Sequence, residues 1–356
     1  MKNRCVPKEN IVAAKSLAGG ELYFVGEKDP MTNEDTQFVK IGIVRDNDAR
    51  TTDYRVKEHQ TGNPRLLHAI SIIQTPIVER VETTMHGKFA PMRLSGEWFV
   101  FTLAQRAKAI TAAEEFAFAA RAHEKDMETA AEIKNIPSVG EVVTPSDELL
   151  SLHQQLVGLR AQVKECKALA DSVVKALEEA SKRGVDVGRL LSIQDKKGAE
   201  KFSEESFRTS HPDLWSQYVK SEMKISGSFR LTDSVKNRPD PYSLYPELTD
   251  LKSRIESSFS ISDSDISQLH AMYLQVLTVQ SPAEWKVMLL EDQIKSECGT
   301  APGIVGVCDW TREETTKESF DKAAMKAAHP DLYAEFITVG ASTTAVVPAR
   351  DRGFQI

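Results

Sequence analysis

Two spacings of apolar residues, one of two and one of three to four, divide this chain into strand-like and helix-like stretches. Residues 21–26 (ELYFVG) and 37–44 (QFVKIGIV) are short β-rich runs. A polar loop with Asp29, Pro30 and Asn33 separates them, which predicts a hairpin. The stretch from Asp46 to His59 is helical in character and stops at Gly62-Asn63-Pro64. LLHAISII (66–73) is a near-continuous apolar run and predicts a buried strand. Pro76 then opens a helix with Val78, Val81, Met85 and Phe89 on one face and Glu79, Glu82 and His86 on the neighbouring one. EWFVFT, after Gly96, is strand-like, and the alanine-rich residues 103–130 predict one long helix.

Residues 135–146 (NIPSVGEVVTPS), with two prolines and a glycine, read as a linker. Beyond it Leu149, Leu152, Leu156, Leu159, Val163, Cys166, Ala170, Val173 and Leu177 alternate spacings of three and four. Such a seam either packs on its own domain or forms a coiled coil with a partner chain, the latter predicting a homo-oligomer through the 149–177 helix. KFSEESFRTSHPDLWSQYV (201–219) then matches SFDKAAMKAAHPDLYAEFI (319–337) at an offset of 118, and SLHQQL (151–156) faces QLHAMYL (268–274) at nearly the same offset. The pattern predicts two copies of one module: long helices, a strand, the HPDL helix and a closing strand. In HPDL, Pro212 and Pro330 suit the first helical position, His211 and His329 the cap, and Asp213 and Asp331 the positive end of the dipole. That structural reading outweighs a catalytic one. The fold class expected is α+β, divided as 1–135, a linker at 136–146, 147–235, a second linker at 236–263, and 264–356.

Composition narrows the class. With 41% hydrophobic residues and no run of eighteen apolar ones, the chain is neither disordered nor membrane-bound. The N-terminus, MKNRCVPKEN, lacks the apolar core of a signal peptide, so a cytoplasmic location is expected. Cys5, Cys166, Cys298 and Cys308 form no C-x-x-C pair, which argues against zinc. The net charge is −7, yet residues 1–135 hold 19 basic and 19 acidic residues, so the acidic excess lies entirely downstream. Contact with nucleic acid is therefore expected in the first domain only.

That first domain holds an ordered series: LYFV (22–25), KIG (40–42), Arg55 with His59, QTGNP (60–64), Glu82 with His86, and GEWF (96–99). As chemistry this is a tyrosine, a lysine, an arginine, two histidines and a carboxylate, a set able to bind a phosphodiester and a divalent metal. Lys40, Arg50, Lys57 and Arg65 are the basic candidates for contact with DNA phosphates. Each residue also has a plainer reading: a packed strand tyrosine, an exposed helix pair, a surface charge.

The series resembles the GIY-YIG nuclease superfamily, in a branch common in phages and mobile elements and described as a phage-type DNA-binding domain. The resemblance covers about Glu21 to Thr102 and implies a small antiparallel sheet flanked by helices, in a DNA-acting protein of a bacterial host cell. It implies Tyr23 as the residue that orients or deprotonates the attacking water, and Glu82 as the single protein ligand of Mg2+ (or Mn2+). Arg55 would hold the scissile phosphate, with His59 and His86 available for proton transfer. Two departures stand out: Lys40 occupies the place of the second motif's tyrosine, and Glu21-Leu22 that of the first motif's Gly-Ile. The duplicated segments resemble the helical tail of YqaJ-type phage recombination nucleases, which carries a similar FDxxxFKxxHPDLY run. Three functions follow as expectations: a magnesium-dependent DNA endonuclease, a DNA-binding module without turnover, or a scaffold of phage recombination or defence.

Overall fold

The structure, a computed structural model, describes residues 17–233, 239–258 and 266–353. Cys5, the N-terminal stretch and parts of the expected second linker lie outside them. Strands β1 (Gly20–Lys28) and β2 (Asp35–Arg45) form the expected hairpin. The Asp29 carboxylate accepts the backbone N–H groups of Met31 and Thr32 in its turn. Helix α1 (Thr52–Gln60), β3 (Leu66–Thr75), α2 (Val78–Lys88), β4 (Arg93–Ser95) and β5 (Trp98–Val100) follow. The strands make one antiparallel sheet in the order β3-β1-β2-β5-β4.

Three expectations change here. Helix α1 starts six residues later than the sequence suggested, because the Thr51 hydroxyl accepts the Tyr54 N–H and caps it there. Strand β3 is an edge strand with alternating exposure, not a buried one. The alanine-rich helix is two, α3 (Leu103–Ala122) and α4 (Glu124–Ile133), broken where His123 leaves helical geometry at φ −107° and ψ 11°.

The C-terminal part comprises α5 (Asp147–Lys182), β6 (Leu191–Lys196), β7 (Glu200–Phe202), α6 (Glu204–Ser210), α7 (Pro212–Tyr218), β8 (Val219–Gly227) and β9 (Arg230–Leu231). After α8 (Pro241–Leu244) and α9 (Pro246–Ser258) come α10 (Ile266–Cys298), β10 (Gly303–Ile304), β11 (Cys308–Asp309) and β12 (Arg312–Phe320). Helices α11 (Lys322–Ala328) and α12 (Pro330–Glu335) and strands β13 (Ile337–Val339) and β14 (Thr343–Pro348) complete the described chain.

Helix α5 carries the heptad seam, and the seam is consumed within the chain. Leu149 and Leu156 pack with Ile294 and Cys298, Val163 with Ala283, and Val173 and Leu177 with Leu274 and Leu277 of α10. The two helices run antiparallel, pinned by ion pairs Arg160–Glu291 at 2.6 Å and Lys167–Glu284 at 3.1 Å. The seam therefore offers no free apolar stripe, and self-association through it loses its basis.

The boundaries of several elements repeat at the offset of 118. Helices α6 and α11 occupy matching positions, as do α7 and α12, each of the latter with proline in its first turn. Strand pairing runs between the two segments: Phe202 faces Ile337, and Phe320 faces Val219, each residue 118 positions from one of the first pair. Phe202 stacks on Tyr333 at 4.5 Å and Phe320 on Trp215 at 4.3 Å, while the two phenylalanines stack at 5.5 Å. His211 and His329 cap α7 and α12 rather than converging on a site.

Helix α10 ties this region to the first domain. Trp285 and Leu289 are buried in the core formed by Leu22, Phe24, Val78, Val81 and the alanines of α3. Residues of the 136–146 linker are docked, Val143 bridging to Ile304 and Ser138 N–H donating to the Arg312 carbonyl. The Arg312 side chain is 1% exposed and donates to the carbonyls of Ile136, Trp310, Gly299 and Ala301.

Candidate functional site

Alternation along β1 sends Leu22 and Phe24 into the main core and Tyr23 and Val25 to the opposite face, under α1. Tyr23 is fully buried. Its cross-strand partner is Gly42 of the KIG run, where a Cβ would lie 2.5 Å from the tyrosine hydroxyl. Glycine is thus the seat of the ring. Helix α1 brings His59 Nε2 to 3.4 Å from that hydroxyl and sets the Arg55 guanidinium beside it. Burial raises the Tyr23 pKa above its ordinary value, with Arg55 pulling the other way. Burial, then the positive charges of Lys40 and Arg55, lowers that of His59, which keeps the ring neutral.

Helix α2 packs on the core face of the sheet with Val78, Val81 and Met85, and its polar residues lie beside β2. Strand β5 pairs with Phe38, Val39 and Lys40 of β2, and the Ile41 N–H donates to the Glu97 carbonyl just beyond them. His86 Nε2 donates to the Ile41 carbonyl there at 3.1 Å, its ring 5.5 Å from Phe99. Burial pushes the His86 pKa down to about 4. One turn earlier, Glu82 is partly buried and, among the described residues, has no hydrogen-bond or ion-pair partner. Burial, then the neighbouring Glu97 carboxylate, pushes its pKa up to about 7. Glu82 also feels Lys40, Arg45 and Arg93, and Tyr23 feels Glu82 and Glu97, so all share one electrostatic centre.

Lys40 and Glu97 close the centre. The buried Lys40 ammonium donates to Glu97 at 2.5 Å, and this contact holds the Glu97 pKa below its ordinary value despite burial. Neither Glu97 nor Arg93 stood among the site residues expected from sequence. The only signal for Glu97 was its place in GEWF, and none pointed to Arg93. The other basic candidates lie outside the centre. Arg50 reaches Glu58 at 3.7 Å, a carboxylate that Arg55 also holds at 2.7 Å; Lys57 is exposed, and Arg65 is tied to Glu27 at 3.1 Å. QTGNP fixes the end of α1 to β3: the Gln60 amide donates to the carbonyls of Asn63 and Arg65 and accepts the N–H of Leu67.

Residues 22–114 match the T5orf172 domain. The T5orf172 domain is phage-associated and nuclease-like, related to GIY-YIG- and HNH-type endonucleases, and it spans the sheet, α1, α2 and the first half of α3 here. Neither the curated proteins nor the solved structures contain a match. Among the described residues no group of three or more metal-ligating side chains occurs, and no helix is long and apolar enough to cross a membrane.

Proposed function

We propose that this protein is a magnesium-dependent DNA endonuclease of GIY-YIG type whose T5orf172 domain hydrolyses phosphodiester bonds. What supports it is that the Tyr23 hydroxyl lies 3.4 Å from His59 Nε2 and within electrostatic reach of Glu82, three residues from three different elements. A hydrated Mg2+ takes one or two carboxylates and leaves its other positions to water and phosphate. Glu82 fits that requirement, being unpartnered and crowded by a second carboxylate that a cation would relieve. Bound there, the ion would polarise the phosphate.

The chain's own residues do the rest. Arg55 holds the phosphate and the negative charge that grows on it. Tyr23 orients the attacking water and the neutral His59 accepts its proton as the water oxygen bonds to phosphorus; the ester bond breaks with its electron pair on the leaving oxygen, which takes up a proton from solvent. Incubation of the protein with plasmid, with and without Mg2+, tests this: nicking or linearisation in Mg2+ alone is expected.

A second reading, DNA binding without turnover, draws on one observation. Lys40 stands in the place of the second tyrosine and is committed to Glu97, so it supplies no phenol. A salt-dependent gel shift without cleavage would favour that reading.

A further inference from the structure

Beside the proposed nuclease centre, on the same face of the sheet, lies a cavity of about 470 Å³ that shares His59 with it. Its walls include the Phe38 and Trp98 rings, with Glu27, Asn63 and Arg65 among its polar lining. Lys40 faces Trp98 across the β2–β5 ladder, and Phe38 lies two residues along β2 on that same face. Phe38 and Trp98 are thus diagonal neighbours, a relation that sets side chains roughly 7–8 Å apart. With Arg65 over the Phe38 ring, Trp98 is the aromatic wall left for a flat ring.

The polar wall is unusual in being anionic yet neutralised in place. Glu27 is 9% exposed, its Oε1 accepting from Asn63 Nδ2 at 2.6 Å and its Oε2 from Arg65 Nη1 at 3.1 Å. Arg65 in turn lies over the Phe38 ring at 5.7 Å. A phosphate gains nothing from a carboxylate, whereas a base edge carrying N–H donors does. The two Glu27 oxygens keep acceptor capacity beyond the one contact each makes, to Asn63 or Arg65. Guanine, with two adjacent donors on its pairing edge, meets them better than thymine, which offers one donor between two acceptors.

The geometry points to this cavity as a receptor for an unpaired nucleobase, preferably guanine, next to the phosphate that Arg55 would hold. The inference rests on DNA being the ligand of the domain, and it makes the preferred substrate a bulged, mismatched or single-stranded site rather than continuous duplex. Base–aromatic stacking of this kind is worth on the order of tenfold in affinity.

The test is fluorescence anisotropy with the full chain in EDTA, so that cleavage plays no part. Labelled duplexes carry one bulged guanine, one bulged thymine, or an abasic bulge. The guanine bulge should bind about tenfold tighter than the abasic one, with thymine between. Trp98→Leu, which retains apolar volume without a π-face, should erase the advantage of any base, and Glu27→Gln should narrow the gap between guanine and thymine. Equal affinity for all three bulges overturns the pocket alone. Failure to bind any DNA at low salt overturns the pocket and the proposed function together, while base preference without cleavage in Mg2+ upholds the pocket and removes only the catalytic reading.

Discussion

Glu82 shows how one residue's surroundings set its chemistry. Its carboxyl, partly desolvated and facing Glu97, titrates near pH 7 rather than at the ordinary 4.5. Raised in the folded state, it contributes stability that is fully present below pH 4.5 and is lost as pH rises to about 7. Thermal melts of the metal-free protein should accordingly fall across that window, and Glu82→Gln should flatten the fall. In the proposed nuclease the cation competes with the Glu82 proton, so the Mg2+ concentration needed for cleavage should fall as pH rises. Glu82→Ala should abolish cleavage. Arg55→Ala should cost on the order of a hundredfold or more, as loss of a transition-state charge contact does, and Tyr23→Phe should cut the rate while DNA binding persists, read as plasmid nicking beside gel shift. Cleavage by Glu82→Ala at the parent's rate would remove the nuclease assignment.

Among elements, close approaches fix the site. Gly42 leaves room for the Tyr23 ring, and an added methyl there would meet the hydroxyl at 2.5 Å. Gly42→Ala should displace the ring, retain the far-ultraviolet circular dichroism of the sheet and lose cleavage. Helix α2, which holds Glu82 and His86, is backed by α10, and Trp285 of that helix sits in the first domain's core with Phe116 at 5.4 Å. Trp285→Ala should cost about 3–5 kcal/mol. Urea unfolding followed by a signal from the first domain should report that loss, although the substitution lies almost two hundred residues from the sheet. An unchanged midpoint would mean that α10 does not support α2.

At the level of the whole molecule, each duplicated segment supplies strands to the other. β7 pairs with β13 and β8 with β12, and one aromatic stack runs through both copies. Neither segment contains a complete sheet of its own. With the α5 seam also spent on α10, sedimentation at micromolar concentration should show a monomer; a dimer would require a surface other than this seam.

What was legible in the sequence was whatever depends on local spacing. The hairpin, α2 with Glu82 and His86 on one face, the HPDL caps and the 118-residue recurrence all follow from short-range periodicity and capping, which the chain carries wherever it folds. Tyr23, Arg55 and His59 were legible as an ordered series but not as neighbours. Long-range packing decided the rest. Periodicity shows that a stripe is apolar without showing what covers it, so the seam's partner became α10 of the same chain. Glu97 and Arg93 joined the centre because β5 and β4 end beside β2, and Lys40 found its carboxylate there. Pairing between strands far apart in sequence brings such charges together, and no local pattern records it.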